Sequence, residues 1–397
     1  MTGVLSGIRV VDFGRYIAGP YCAALLADFG ADVIRVEKRD GREDRTLMPL
    51  SGTDDAPGEG AMFLQMNRNK KSLTLDPLSE KGREVVKRLV KSADVVIANL
   101  PGETLKAMGL DWENVSALNP RAILAVVSAF GLEGPYANRV GFDGVAQSMS
   151  GAVYFGGTED QPVRAAAPWV DFGTASLLAM GVMAALRTRD STGKGQLVEG
   201  ALLRTALTYF STMLIEESVL HLGRKPTLNR SQTAGPSDIY RTKDGWITVA
   251  VNGDPLFRRA ARLIGAPEWI EDARFMSDKA RGDHGEIISA RVQEWCASRT
   301  SAEAIAAFES ARVPAGPVYT MRQTLDDAHV KASGIFTNVE FPGIGTAPVA
   351  ATPVKLHGTP GSIRMRPPLL GEHNDEVLHG LGYSAAEIAA LKADGTV

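Results

Sequence analysis

The sequence predicts an α/β chain: a Rossmann-like, doubly wound parallel sheet domain joined to a smaller α+β domain. Three observations predict it. Short β-branched runs alternate with helical patterns through the first third, which implies parallel strands with helices on both faces. The middle carries two strongly apolar helical stretches, too hydrophobic for surface helices. After Gly223-Arg224-Lys225-Pro226 the texture changes to a hairpin followed by short helices.

The elements follow in order. Ile8–Phe13 reads as a strand, Gly14–Pro20 as a turn, and Pro20–Phe29 as a helix that opens on proline and stops at Gly30. Asp32–Glu37 is the second strand. Leu78–Ser92 has helical spacing, and Asp94–Ala98 and Arg121–Val127 are apolar strands. The two apolar helices span Thr174–Arg187 and roughly Gly200–Leu222, placed in a core or a subunit interface. Asp238–Val251 forms a hairpin around Asp244-Gly245, short helices continue to about Ala311, and Pro314–Pro317 is a hinge or linker. The tail from Pro367 is extended and enters a helix through Asn374 or Asp375. The expected division is 1–225, 226–325 and 326–397, the last returning to the first.

Bulk properties narrow the function. Of 397 residues, 44% are hydrophobic and 22% charged, an ordinary globular balance that needs no disulfide or metal staple. A net charge of −3 leaves no basic excess for nucleic acid or an anionic membrane. Cys22 and Cys296 lie far apart without Cys-x-x-Cys spacing, so a reducing, cytoplasmic setting is expected. The first residues lack a charged segment followed by an apolar stretch, so no signal peptide is expected. No run of about 18 uninterrupted apolar residues marks a membrane span. The six histidines lack metal-ligand spacing, so no metal is expected.

A doubly wound sheet invites a nucleotide, but the first turn, Gly14-Arg15-Tyr16-Ile17-Ala18-Gly19-Pro20, lacks Gly-x-Gly-x-x-Gly. Pro20 also removes a backbone donor there. NAD and flavin are therefore not expected, and Gly193-Lys194-Gly195-Gln196 has no phosphate-loop spacing. Basic residues cluster at Lys38–Arg45 and at Arg68-Asn69-Lys70-Lys71. They are either a polyphosphate grip at the carboxyl edge of the sheet or solvated loops of mixed charge. Asp171, in Pro168-Trp169-Val170-Asp171-Phe172-Gly173-Thr174, has two readings. It is an N-cap bonded to the amides of Thr174 or Ala175, or a carboxylate nucleophile kept ionised by the helix N-terminus. Asp143, in Gly141-Phe142-Asp143-Gly144, is a turn residue or a second carboxylate that orients a substrate or modulates the first.

Taken as an ordered set, several segments resemble the class III CoA-transferases, the formyl-CoA transferase and carnitine CoA-transferase group. They are Val11-Asp12-Phe13, Ala18-Gly19-Pro20, Leu26–Glu37, Asn67–Ser72, Gly134-Pro135-Tyr136, Asp171 with its helix, Gly193–Gln196, Asp244-Gly245-Trp246 and Leu370–His373. The resemblance runs through nearly the whole chain. It implies that Asp171 is the nucleophile of a ping-pong transfer of CoA from an acyl-CoA to a free carboxylic acid, through an aspartyl-CoA intermediate. It also implies an interlocked homodimer. For CoA it points to Tyr16, Ile17, Ala18, Lys38, Arg68, Lys70, Lys71, Ser72 and Asn99. The chain departs from the family at Asn99–Gly109, where usual arginines are absent, Ala107 fills one place, and Lys106 is the substitute. Related acyl-CoA racemases carry a histidine where this chain has Phe142, which cannot act as a base. A racemase and a non-catalytic CoA-binding protein are the alternatives. Arg15, Arg45 and Arg164 either pair with a second carboxylate, which suggests a dicarboxylic acid such as succinate, or face CoA phosphate or solvent.

Overall fold

A computed structural model describes residues 3–41, 44–52 and 58–397. Its chain divides into two compact units. The first comprises Met1–Ser150, Ala166–Met213 and Ser333–Val397; the second comprises Gly151–Ala165 and Leu214–Ala332.

The first unit is built on six strands: β1 (Arg9–Asp12), β2 (Asp32–Glu37), β3 (Lys70–Thr74), β4 (Val95–Ala98), β5 (Ile123–Ser128) and β6 (Leu197–Ala201). Their order is β3-β2-β1-β4-β5-β6, and every pairing is parallel. Side chains alternate along each strand. Val10, Val33, Val95, Ile97, Ile123 and Ala125 face one side, with helix Ala18–Asp28 and the long helix Trp169–Thr192. Val11, Ile34, Val36, Val96, Ala98 and Leu124 face the other, with helix Glu80–Ser92 and the C-terminal helices Asn374–Gly380 and Ala385–Ala393. All four residues of β4 are fully buried, as expected for a central parallel strand. Each buried Val or Ile there contributes roughly 1.5–3 kcal/mol relative to exposure.

Three departures from the sequence reading have physical reasons. β3 begins inside the basic run Arg68–Lys71, because Lys70 is buried by an ion pair with Asp12 at 2.7 Å. The expected helix Gly200–Leu222 is interrupted. Leu197–Ala201 is the edge strand β6, followed by helices Leu202–Tyr209 and Ser211–Leu220. The long helix starts five residues earlier than expected, at Trp169. By length and composition this helix is apolar enough to cross a bilayer, yet half of that apolar stretch is buried in the protein. Its buried residues Val170, Ala175, Leu178, Val182 and Ala185 join the core beneath the sheet.

The second unit contains a three-stranded antiparallel sheet of β7 (Ser237–Arg241), β8 (Trp246–Ala250) and β9 (Ala315–Pro317). β7 and β8 are the hairpin expected at Asp244-Gly245, and β9 occupies the expected hinge. Its core gathers Tyr240, Ile247, Val249, Phe257, Phe275, Ile288 and Phe308. In the first unit, strands Phe336–Phe341 and Gly345–Ala350 form a separate hairpin whose Phe341 packs on Phe63 and Leu64.

Candidate active site

The sheet order reverses between β1 and β4, and the loops leaving their carboxyl ends part there, the position where open α/β sheets bind ligands. A cavity of 590 Å³ opens at that edge. Its wall comes from the loops after β1 to β4: Arg15, then Lys38, Arg39 and Asp40, then Leu75–Leu78, then Leu100, Pro101, Thr104 and Met108. A largely apolar wall that also carries Arg15, Lys38 and Arg39 suits a planar base joined to phosphate.

Local sequence shapes the β1 turn. The Asp12 carboxylate accepts from the Gly14 N–H at 2.7 Å. A side chain at Gly14 would meet that carboxylate and Pro20 at 2.7 Å, so the tight turn requires glycine. The Asn99 amide clamps Arg15 with both ends, accepting from its N–H at 2.7 Å and donating to its carbonyl at 2.8 Å. Beneath the turn lies a buried charge network. Lys70 binds Asp12, the Pro20 carbonyl and Asn67; Arg35 binds Asn67 and Asp44; Arg45 binds both oxygens of Glu37 and also Glu59. Burial works to raise the Glu37 carboxyl, but the Arg45 and Arg35 guanidiniums overcome it and hold it at about 2. Burial pushes Lys70 down to about 8, against the attraction of Asp12.

Asp171 lies in the first turn of the long helix. It does not cap that helix. The cap is Asp143, whose Oδ2 accepts from the N–H groups of Val170 at 2.9 Å and Asp171 at 3.1 Å, while Gln147 donates to its other oxygen. Asp143 is buried and opens helix Asp143–Met149. The helix N-terminus was expected to keep Asp171 ionised. Instead Asp143 takes those amides. Burial, then the charge of Asp143, pushes the Asp171 carboxyl up to about 7. Among the described residues no donor bonds the Asp171 carboxylate. Aromatic rings fix the turn around it: Phe172 meets Tyr21 edge-on at 4.8 Å, and Trp169 stacks on Tyr209 at 5.9 Å. Tyr209 also covers Gly173, where a Cβ would lie 2.6 Å from the ring. A half-buried, unbonded carboxylate beside a pinned one is a reactive pair, able to act as nucleophile or base.

The description "CoA-transferase family III" matches residues 5–374. The chain belongs to CoA-transferase family III. It is 35% identical to the succinyl-CoA–D-citramalate CoA-transferase of Chloroflexus aurantiacus, covering 98% of this chain and 97% of that one. It is 33% identical to the formyl-CoA:oxalate CoA-transferase of Rhodopseudomonas palustris, covering 100% and 98%. The crystal structure of a CAIB/BAIF family protein from Brucella suis superposes with a TM-score of 0.83 at 31% identity, covering 96% of this chain and all of that one. The chain is an enzyme, a CoA-transferase acting on CoA thioesters.

The residues singled out for CoA in this transferase separate into two groups. Tyr16 and Ile17 lie in the β1 turn, Ala18 opens the helix after it, and Lys38 lines the cavity. The others are not brought there. Arg68 is fully buried against Asp28 at 2.7 Å, Lys70 against Asp12, and Ser72 donates to Glu37 at 2.6 Å. Lys71 pairs with Asp32 and Glu376. The side chain of Asn99 is occupied by the Arg15 backbone. Lys106 is exposed on helix Gly102–Met108, whose Thr104 and Met108 reach the cavity instead. Arg15 donates to the carbonyls of Phe13, Gly14 and Val36, and Arg45 is held by Glu37, so neither guanidinium stands open for a second carboxylate. Arg164 is exposed in the second unit. Sequence reasoning missed Leu75–Leu78, and held Arg39 and Asp40 only within the basic run Lys38–Arg45. Their signal is position, because each directly follows a strand end.

Proposed function

We propose that the enzyme moves CoA between carboxylic acids through covalent intermediates on Asp171. The single observation that carries this is the Asp171 carboxylate itself, half-buried, without a bonded donor, and set beside a capping Asp143. In the first step an Asp171 oxygen attacks the thioester carbonyl of the donor acyl-CoA. The C–S bond breaks, giving an acyl-aspartyl anhydride and CoA thiolate. The thiolate then attacks the aspartyl carbonyl, the anhydride C–O bond breaks, and the donor acid leaves as a carboxylate. The resulting aspartyl-CoA thioester reacts with the acceptor acid by the same two steps in reverse. Each step moves one negative charge and no proton, so Asp171 must enter ionised. Both intermediates hydrolyse readily, so water must be excluded.

The cavity at the carboxyl edge holds the adenosine end of CoA, with Lys38 and Arg39 facing phosphate and Leu75, Leu78, Leu100 and Met108 against the base. The similar enzymes are named for succinyl-CoA, citramalate and oxalate, which supports a dicarboxylic acid as donor or acceptor. The enzyme works as a homodimer: Leu177, Met180 and Met183 form an exposed apolar stripe at helical spacing on the long helix, with Leu207 exposed nearby in sequence on the following helix. A racemase reading lacks its base, because Phe142, an exposed residue, occupies the expected place. The test is incubation with succinyl-CoA and a panel of acids, with mass spectrometry of the peptide that carries Asp171. A CoA adduct on that peptide is expected. Transfer with the mass shift on another residue, or with none anywhere, would sink the reading.

A further inference from the structure

Tyr16 stands at φ 62°, a left-handed conformation that a bulky side chain rarely adopts. The chain holds it there from two sides. Asn99 clamps the preceding residue, Arg15, by both ends of its amide. The Tyr16 N–H donates to Asp44 Oδ2 at 2.9 Å. The other oxygen of Asp44 accepts from Arg35 Nη2 at 2.6 Å, and both side chains are buried. Asp44 is therefore committed between the buried network and the backbone of a strained loop. Glycine would adopt this conformation without strain. What glycine would lack is the ring, and the ring has a partner. Tyr16 meets Phe142 edge-on at 5.9 Å and 89°. Phe142 is the residue before Asp143, which caps the turn that carries Asp171.

We propose that Asp44 is a positioning residue for the reaction at Asp171, holding Tyr16 in its strained conformation so that the Tyr16 ring braces Phe142 and fixes the Asp143 cap. The inference rests on Asp171 as the reacting group. Asp44 touches neither substrate nor reacting atoms; it acts through the loop. Asp143 is the charged group that acts on Asp171. The other titratable groups on elements packed against the long helix are Tyr21, Cys22 and Asp28 on helix Ala18–Asp28, Glu199 on β6, and Arg204 and Tyr209 on helix Leu202–Tyr209. Asp28 is paired with Arg68, and Glu199 with Arg204.

The experiment is steady-state CoA transfer across pH 5.5 to 9, roughly the range over which a carboxyl raised by burial titrates, with melting temperatures for each variant. Asp44→Asn cannot accept from Tyr16 and Arg35 together. It is expected to lower kcat about tenfold and to move the acid limb by about half a pH unit or more. Tyr16→Gly relieves the strain but removes the ring, so it is expected to fold and show the same two changes. Tyr16→Phe keeps the ring and is expected to hold the acid limb where the wild type has it. Glu59→Gln alters the same network at Arg45, away from the loop, and is expected to leave kcat and the limb in place. If the wild type transfers no CoA, the underlying reaction is wrong. If the wild type is active and Asp44→Asn or Tyr16→Gly leaves the acid limb unmoved, the positioning role is wrong, whatever happens to kcat. Should Asp44→Asn fail to fold, Tyr16→Gly decides alone.

Discussion

Asp171 is costly where it sits, and that cost is measurable. Its folded carboxyl is raised to about 7 from an ordinary 3.8, so the folded state holds this proton more tightly than the unfolded chain. Its contribution to stability is thus complete below about pH 4 and is lost as pH rises through 7. Asp171→Asn is therefore expected to stabilise the fold at pH 8 by on the order of 2 kcal/mol in denaturant unfolding, while lowering transfer by about a thousandfold or more. CoA affinity should stay near the wild-type value by calorimetry. For the proposed attack by ionised Asp171 the sign is opposite. The kcat/KM profile of the wild type should fall below pH 7, and Asp143→Asn should move that fall to lower pH by removing the neighbouring charge. A profile flat from pH 5 to 8 would contradict this. The residues around Asp171 suggested either a cap or a nucleophile. Separating the two needed Asp143, 28 residues away, because a cap from another helix leaves no local pattern.

At the scale of elements, the network under the β1 turn joins the carboxyl ends of β1, β2 and β3. Lys70→Met leaves Asp12 buried without its cation. Breaking such a pair is expected to cost about 3–5 kcal/mol in unfolding experiments. Its effect should fall on stability and not on the salt dependence of acyl-CoA binding, as a phosphate contact would show. Lys38→Ala with Arg39→Ala should do the reverse, raising the KM for acyl-CoA by about tenfold with little change in melting temperature. Most strands were legible from their β-branched runs: β2 was expected at Asp32–Glu37 and lies there. β3 was not, because its first two residues are lysines and a buried lysine declares itself only through its partner. β6 was not, because Leu197-Val198-Glu199-Gly200-Ala201 runs on into helical sequence, and it is pairing with β5 that makes it a strand.

For the whole molecule, sedimentation at micromolar concentration should give twice the chain mass, and Met180→Lys on the exposed stripe of the long helix should shift it toward the monomer. An unchanged mass equal to one chain in the wild type would refute the dimer. By itself the sequence determined the α/β class, the parallel first half, the family and the aspartate to test. Those depend on hydrophobic period and on motifs in order along the chain, which one strand of letters carries in full. Tertiary structure decided which charges are free for a ligand. Arg68, Lys70, Ser72 and Asn99 read as a grip for CoA, yet they are taken up by Asp28, Asp12, Glu37 and Arg15. It also decided that Asp143 caps the helix that carries Asp171. The reason is physical: a buried charge must find its partner in space, and partners 35 to 84 residues apart leave no spacing to read.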